Sequence, residues 1–200
     1  MMIRLQRSFF QRPATEVAPT LLGKLLVRET DMGLRIGRIM EVEAYLGRQD
    51  MAAHSYKGVT PRTRVMFGQA GHAYVYLIYG MHHCMNVVTG PEGSGSAVLL
   101  RALEPVQGIA VDTRGPGRLA KAMGIDKTLY GLDLCDPDSS LYLAEDGHEP
   151  PQVLTSPRIG VHYAGDWVEK PLRYYVGGSP WVSKVPAPRK TDAAPAKEKK

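Results

Sequence analysis

The stretch AYVYLIYGMHHCMNVV (residues 73–88) decides how this chain folds. Two runs of β-branched and aromatic residues meet at Tyr79-Gly80-Met81, where Gly80 can supply the positive φ that a tight hairpin needs. The pattern reads as a β-hairpin with Tyr79 and Met81 at its tip. Large apolar side chains on a projecting turn are costly to hydrate, so something has to cover them: the core, a partner chain or a nucleic-acid stack.

Working outward, strand-like runs occur at 24–28, 35–45, 72–79, 83–88, 97–104 and 172–176. They are mostly Val, Ile, Leu and Tyr and are bounded by Gly or Pro. Residues 13–22 place Ala14, Val17, Ala18, Leu21 and Leu22 at helical spacing, with Gly23 as a stop and Pro19 inside. Short helices are expected around 50–54, from 118 to 123 and just after Asp126. Many strands with short, irregularly placed helices predict a mixed α/β single domain of the α+β class. Its sheet is expected to be curved and mostly antiparallel, not built from βαβ units.

With 200 residues and 22.0 kDa the chain suits one domain that needs no disulfide or metal staple. A hydrophobic fraction of 44% and a charged fraction of 22% exclude a disordered chain. No stretch approaches 18 uncharged apolar residues, and MMIRLQRSFFQRP (1–13) lacks a signal-peptide apolar region. The expectation is a cytoplasmic protein without a membrane partner, nucleoid-associated in a bacterial cell. Cys84 and Cys135 are too few for a disulfide framework and fit a reducing compartment.

The formal net charge of +5 is unevenly spread. KVPAPRKTDAAPAKEKK (184–200) carries six Lys/Arg and two Asp/Glu and reads as a disordered, solvated tail. The body, 1–183, is left with a net charge of +1. The tail could hold DNA loosely through counterion release, or simply aid solubility.

Glu43 lies near the end of RIGRIMEVEAYLG (35–47), where alternation puts Met40, Val42 and Ala44 on one face and Ile39, Glu41, Glu43 and Tyr45 on the other. A carboxylate beside a tyrosine can act as a general base next to an aromatic wall; the same spacing also fits an ordinary solvent-facing glutamate. Arg101 interrupts the apolar run VLLRALEP (98–105), and a buried arginine needs an acidic or phosphate partner. Glu41, Glu43 and Glu104 are candidates, as is a ligand. The six histidines show no metal-ligand spacing, so no metal and no cofactor are expected. Phosphate-loop, dinucleotide and serine-hydrolase motifs are missing from the sequence. GPGRL (115–119) can open a helix whose free N–H groups attract anions.

Taken in order, EVEAYLG (41–47), AAHS (52–55), TPR (60–62), MFG (66–68), YVYLIYGMHHCMN (74–86), VLLRALEP, GPGRL and KPLRYYVGGSPWVS (170–183) resemble the alkyladenine (3-methyladenine) DNA glycosylase family. The resemblance runs from about Leu5 to Ser183 and makes 1–183 a glycosylase domain. It implies a fold like the formyltransferase C-terminal domain, with a protruding β-hairpin that enters the DNA minor groove. It also implies base-excision repair: damaged purines such as 3-methyladenine, 7-methylguanine, hypoxanthine and etheno-adenine are flipped from duplex DNA and their N-glycosidic bond is hydrolysed, leaving an abasic site.

Carried onto this chain, the resemblance gives Glu43 the role of general base, with Arg101 holding the water and the carboxylate. The flipped purine would lie between Tyr45 and the pair Tyr76 and His54, with Asn86 excluding normal guanine and backbone groups near Ala53 and His54 reading the purine edge. Tyr79 would be the wedge, Met81 would pack on the neighbouring base pair, and His82 would reach phosphate or base. Arg62, Arg64, Gly117 and Arg118 would touch DNA. The expected agent is a monofunctional monomer acting on double-stranded DNA. The alternative is a non-catalytic minor-groove DNA-binding protein, which would have little use for Glu43 and Arg101 and would favour a more basic body. A hydrolase of free nucleosides would not need the Tyr79 wedge.

Overall fold

The longest strand explains the rest. β3 (Gly33–Leu46) is 14 residues long, has neighbours on both edges along its length and is buried over most of it. Along one edge it pairs with β6 (Ser96–Gln107). Along the other it pairs first with β2 (Leu25–Thr30) and then, from Glu41 to Glu43, with β9 (Arg173–Val176). In the computed structural model, which describes residues 1–183, nine strands form one sheet whose neighbouring pairs are antiparallel. The order is β1 (Ile3–Arg4), β7 (Leu141–Glu145), β2, β3, β6, β5 (His82–Thr89), β4 (Ala73–Ile78), with β8 (Val153–Ser156) joined to β9. The expected disordered tail at 184–200 lies outside the described residues.

Among the described residues three α-helices accompany the sheet: α1 (Arg7–Phe10), α2 (Ala14–Leu21) and α3 (Pro116–Met123). α2 buries Ala14, Val17, Ala18 and Leu21 and tolerates Pro19 near its end. α3 lies against β5 and β6. The mixed, mostly antiparallel class predicted from sequence is the class observed, and the hairpin is β4–β5. Its turn is tight: Met81 N–H donates to Ile78 O at 3.2 Å. Both central residues are left-handed, Tyr79 at φ 52 and Gly80 at φ 68, as a type I′ turn demands.

Three local expectations differ from the structure. Strict alternation along β3 fails at Met40, where the register with β6 slips and one residue is left over. Ile39 therefore joins Met40, Val42 and Ala44 in the main core rather than sharing a face with the glutamates. The helix expected around 50–54 is replaced by two 3₁₀ turns, Gly47–Gln49 and His54–Lys57, on either side of it. The cause is Asp50, whose carboxylate accepts from Leu46 N–H and Ala52 N–H, both at 3.0 Å, and so holds a turn in place of a helix. Finally, the structure adds three short strands outside the expected runs: β1, β7 and β8, of two, five and four residues.

Candidate active site

Two of the three register slips between β3 and β6 sit together. Ile39 pairs with Leu103, Glu41 with Ala102 and Val42 with Leu100, so Met40 is the extra residue on one strand and Arg101 the extra residue on the other. The bulges cancel, and the ladder resumes its former register beyond them. Arg101 is thereby released from simple pairing; its carbonyl accepts from Gly115 N–H at 2.9 Å, tying in the start of α3. Its guanidinium meets two carboxylates: Nε donates to Glu41 Oε1 at 3.0 Å, and Nη1 lies 3.3 Å from Glu43 Oε1. Glu104, the third candidate partner, faces Arg38 in the register instead.

Both glutamates have 0% exposure, which removes the solvent-facing reading of Glu43. Glu41 also accepts from Arg173 Nε at 2.6 Å and from the backbone N–H and hydroxyl of Ser183 at 2.6 and 2.8 Å. Burial favours its neutral form, but Arg101, Ser183 and Arg173 together hold it below the usual carboxylate range. Burial likewise opposes charge on Arg101, and Glu43 followed by Glu41 more than offsets it. Two carboxylates and two guanidiniums thus form a neutral buried cluster. Arg173 satisfies Glu41, which leaves part of Arg101 to Glu43.

Glu43 accepts two hydrogen bonds. Ile159 N–H reaches Oε1 at 2.8 Å and the Tyr45 hydroxyl reaches Oε2 at 2.8 Å. Burial and the adjacent Glu43 push the Tyr45 hydroxyl well above the usual phenol range, so it remains a donor. A carboxylate offers about four acceptor positions. Two hydrogen bonds and the Arg101 charge at 3.3 Å therefore leave acceptor capacity on Glu43.

Beside this carboxylate is a cavity of about 300 Å³ lined by Tyr45, His54, Tyr74, Tyr76, Asn86 and Arg101, among others. His54 and Tyr76 stand with ring centroids 4.5 Å apart at 72°. The His54 Nδ1 and the Tyr74 hydroxyl are 2.8 Å apart. Burial, helped by the nearby Arg62 charge, lowers the His54 pKa to about 4, so its ring is neutral at pH 7. Burial raises the Tyr74 phenol to about 12. Asn86 donates from Nδ2 to Tyr74 O at 3.2 Å, which fixes its amide at the cavity wall.

The structure brings Tyr45, His54, Tyr76, Asn86, Arg101 and Tyr79 to one cavity, with Glu43 directly behind Tyr45 and Arg101. Ala53 does not line it; its neighbour Ala52 does, and Ala53 N–H is spent on Asp50 O at 2.9 Å. Tyr79, 85% exposed, and Met81, 72% exposed, occupy the hairpin tip at the cavity edge, next to exposed His82. Arg62 lies over the Tyr76 ring at 5.2 Å, and Arg64 opens the 3₁₀ turn Arg64–Phe67. Arg118 is paired with Asp112 at 2.8 Å. Gly117 has a packing reason to be glycine, since a Cβ there would come within 3.0 Å of His82 Cβ.

Sequence reasoning missed Tyr74, Ile159, Tyr163, Asp50 and Arg158, which line or brace the site. Among the described residues no group of three or more His, Cys, Asp or Glu side chains could hold a metal ion. None of the described helices is long and apolar enough to cross a membrane.

The cavity is walled by aromatic rings and by Arg101, with the Glu43 carboxylate behind Tyr45 and Arg101. The profile of the methylpurine-DNA glycosylase family matches residues 8–180. A Legionella pneumophila (strain Lens) protein is 54% identical over 185 residues, covering 92% of this chain and all of that protein. A Myxococcus xanthus protein is 54% identical over 187 residues, 92% and 95% of the two chains, and one from Methanocella arvoryzae is 48% identical over 193, 90% and 96%. All three carry 3-methyladenine DNA glycosylase as a provisional name. The chain belongs to the methylpurine-DNA glycosylase family.

Proposed function

We propose that the protein acts as a monomeric, monofunctional glycosylase on duplex DNA. It flips damaged purines (3-methyladenine, 7-methylguanine, hypoxanthine, etheno-adenine) into the cavity and hydrolyses the N-glycosidic bond. The observation that carries this reading is Glu43, a fully buried carboxylate that accepts two hydrogen bonds, pairs with Arg101 and keeps acceptor capacity, beside a cavity walled by Tyr45, Tyr76 and His54. A water held there attacks the sugar C1′, the bond from C1′ to the base nitrogen breaks, and Glu43 takes the water proton. The carboxylate also stabilises the oxocarbenium-like transition state. The electron pair of the broken bond stays on the base nitrogen: bases alkylated at N3 or N7 thereby leave as neutral molecules, so one carboxylate serves where glycosidases commonly use two, whereas hypoxanthine and etheno-adenine take up a proton from solvent to leave neutral. No lysine among the described residues lines the cavity, which favours release to water and an abasic product over a Schiff base.

Tyr79 fills the gap left by the extruded nucleotide, Met81 packs on the adjacent base pair and His82 reaches the backbone. Arg62, Arg64, the α3 start at Gly117 and Arg118 meet phosphates; Arg118 exchanges Asp112 for them. An electron-poor purine cation gains more than a neutral base from aromatic walls, and Asn86 turns away guanine through its exocyclic amino group. The test is a duplex with one etheno-adenine or hypoxanthine, scored for released base and alkali-labile sites. Free base with matching abasic sites is expected. Binding without release would favour a non-catalytic minor-groove protein. Asn86→Ser should release normal guanine measurably faster, and no gain would remove that role.

A further inference from the structure

The most enclosed ion pair in the described chain lies outside the catalytic cluster. Arg158 Nη1 and Nη2 donate to Asp50 Oδ2 and Oδ1 at 2.6 and 2.9 Å, and both side chains are 0% exposed. A buried pair is weak evidence of stability, since apolar residues of the same volume often serve as well. Its connections suggest another task. Asp50 fixes the turn that leads to His54 through Leu46 N–H and Ala52 N–H. Arg158 donates also to Ala44 O at 2.9 Å, between Glu43 and Tyr45, and its guanidinium lies 4.7 Å from the Tyr45 ring centroid. The residue after it, Ile159, delivers its N–H to Glu43 Oε1 at 2.8 Å.

We propose that Asp50 and Arg158 form a positioning clamp, which holds Ile159 N–H on Glu43 and locks two adjoining stretches of the cavity wall, 46–54 and 157–161, to the Glu43 strand. Neither side chain is exposed, so the pair acts through its neighbours. It works through Glu43: the Ile159 N–H fixes the orientation of the carboxylate, in which an open acceptor position can take the water. Arg158 is suited to this as lysine is not, because a planar fork satisfies both Asp50 oxygens and a backbone carbonyl together.

The inference rests on Glu43 as general base, so the experiment separates the two. Single-turnover excision of etheno-adenine is measured for wild type, Arg158→Lys, Asp50→Asn, Glu43→Gln and the Glu43→Gln/Arg158→Lys double variant. Binding to a duplex with a tetrahydrofuran abasic analogue is measured in parallel. Arg158→Lys is expected to excise about 30-fold more slowly while binding within about threefold of wild type, and to add less than about threefold in the Glu43→Gln background. Unchanged excision by Arg158→Lys overturns the clamp, as does an equal loss in both backgrounds. Should Asp50→Asn not fold, the Arg158→Lys arms decide alone. Absence of excision by wild type counts against the glycosylase reading itself, not against the clamp.

Discussion

The Tyr45 hydroxyl donates to Glu43 Oε2 at 2.8 Å, so one residue is both a wall of the cavity and a support of the carboxylate behind it. Tyr45→Phe separates these tasks. The ring stays and the donor is lost, leaving a buried charge short of one partner. The variant should lose about 1–3 kcal/mol of unfolding free energy in urea titration, the cost of an unsatisfied charged group. Its lesion excision should fall about tenfold. Stability equal to wild type would mean that the bond carries no weight.

Glu41 calls for a different outcome. It compensates both Arg101 and Arg173, so Glu41→Gln leaves two buried guanidiniums short of a counter-charge. The expected loss is about 3–5 kcal/mol, typical of breaking a buried pair. Removing the partly exposed partner of a surface pair, as in Glu145→Gln opposite Lys24, should cost under about 1 kcal/mol. Equal losses for the two, by chemical denaturation, would contradict a structural role for the cluster.

His54 predicts a pH dependence whose sign follows from its surroundings. Its folded pKa is about 4, lowered by burial and then by Arg62, against 6.5 for the free group. Between these values the unfolded chain binds the proton and the folded chain does not, so stability is fully present above pH 6.5 and is lost as pH falls towards 4. The thermal midpoint of wild type should drop between pH 7.5 and 5, and that of His54→Gln should drop less. Matching curves would show that His54 is not held neutral.

Much of this was readable in the chain. The hairpin announced itself because two β-rich runs flank Gly80, and Arg101 because a charge interrupts VLLRALEP. The same signal was present and unused at Arg173, inside PLRYYV. The bulges at Met40 and Arg101 were not readable, since alternation cannot report one leftover residue per strand. Nor was the Asp50–Arg158 pair, whose members lie 108 residues apart in the chain and meet only through the fold.

Tyr79 links strain to function. A non-glycine residue at φ 52 costs about 1–2 kcal/mol, and this one is 85% exposed. Tyr79→Gly should therefore leave the fold as stable or raise its unfolding free energy by up to about 1 kcal/mol, after the entropy cost of glycine. Excision from duplex DNA should nevertheless fall at least about tenfold as the wedge is lost. A variant that is both less stable and fully active would refute the assignment.

The central claim is that Glu43 activates the water that cleaves the bond. The direct measurement is the single-turnover rate of alkali-labile site formation in a duplex with one etheno-adenine, for wild type against Glu43→Gln. Glutamine keeps the shape and the hydrogen-bonding reach but cannot accept the proton, so the rate should fall about 100-fold or more, with binding to the lesion duplex retained. Equal rates for the two proteins would contradict it.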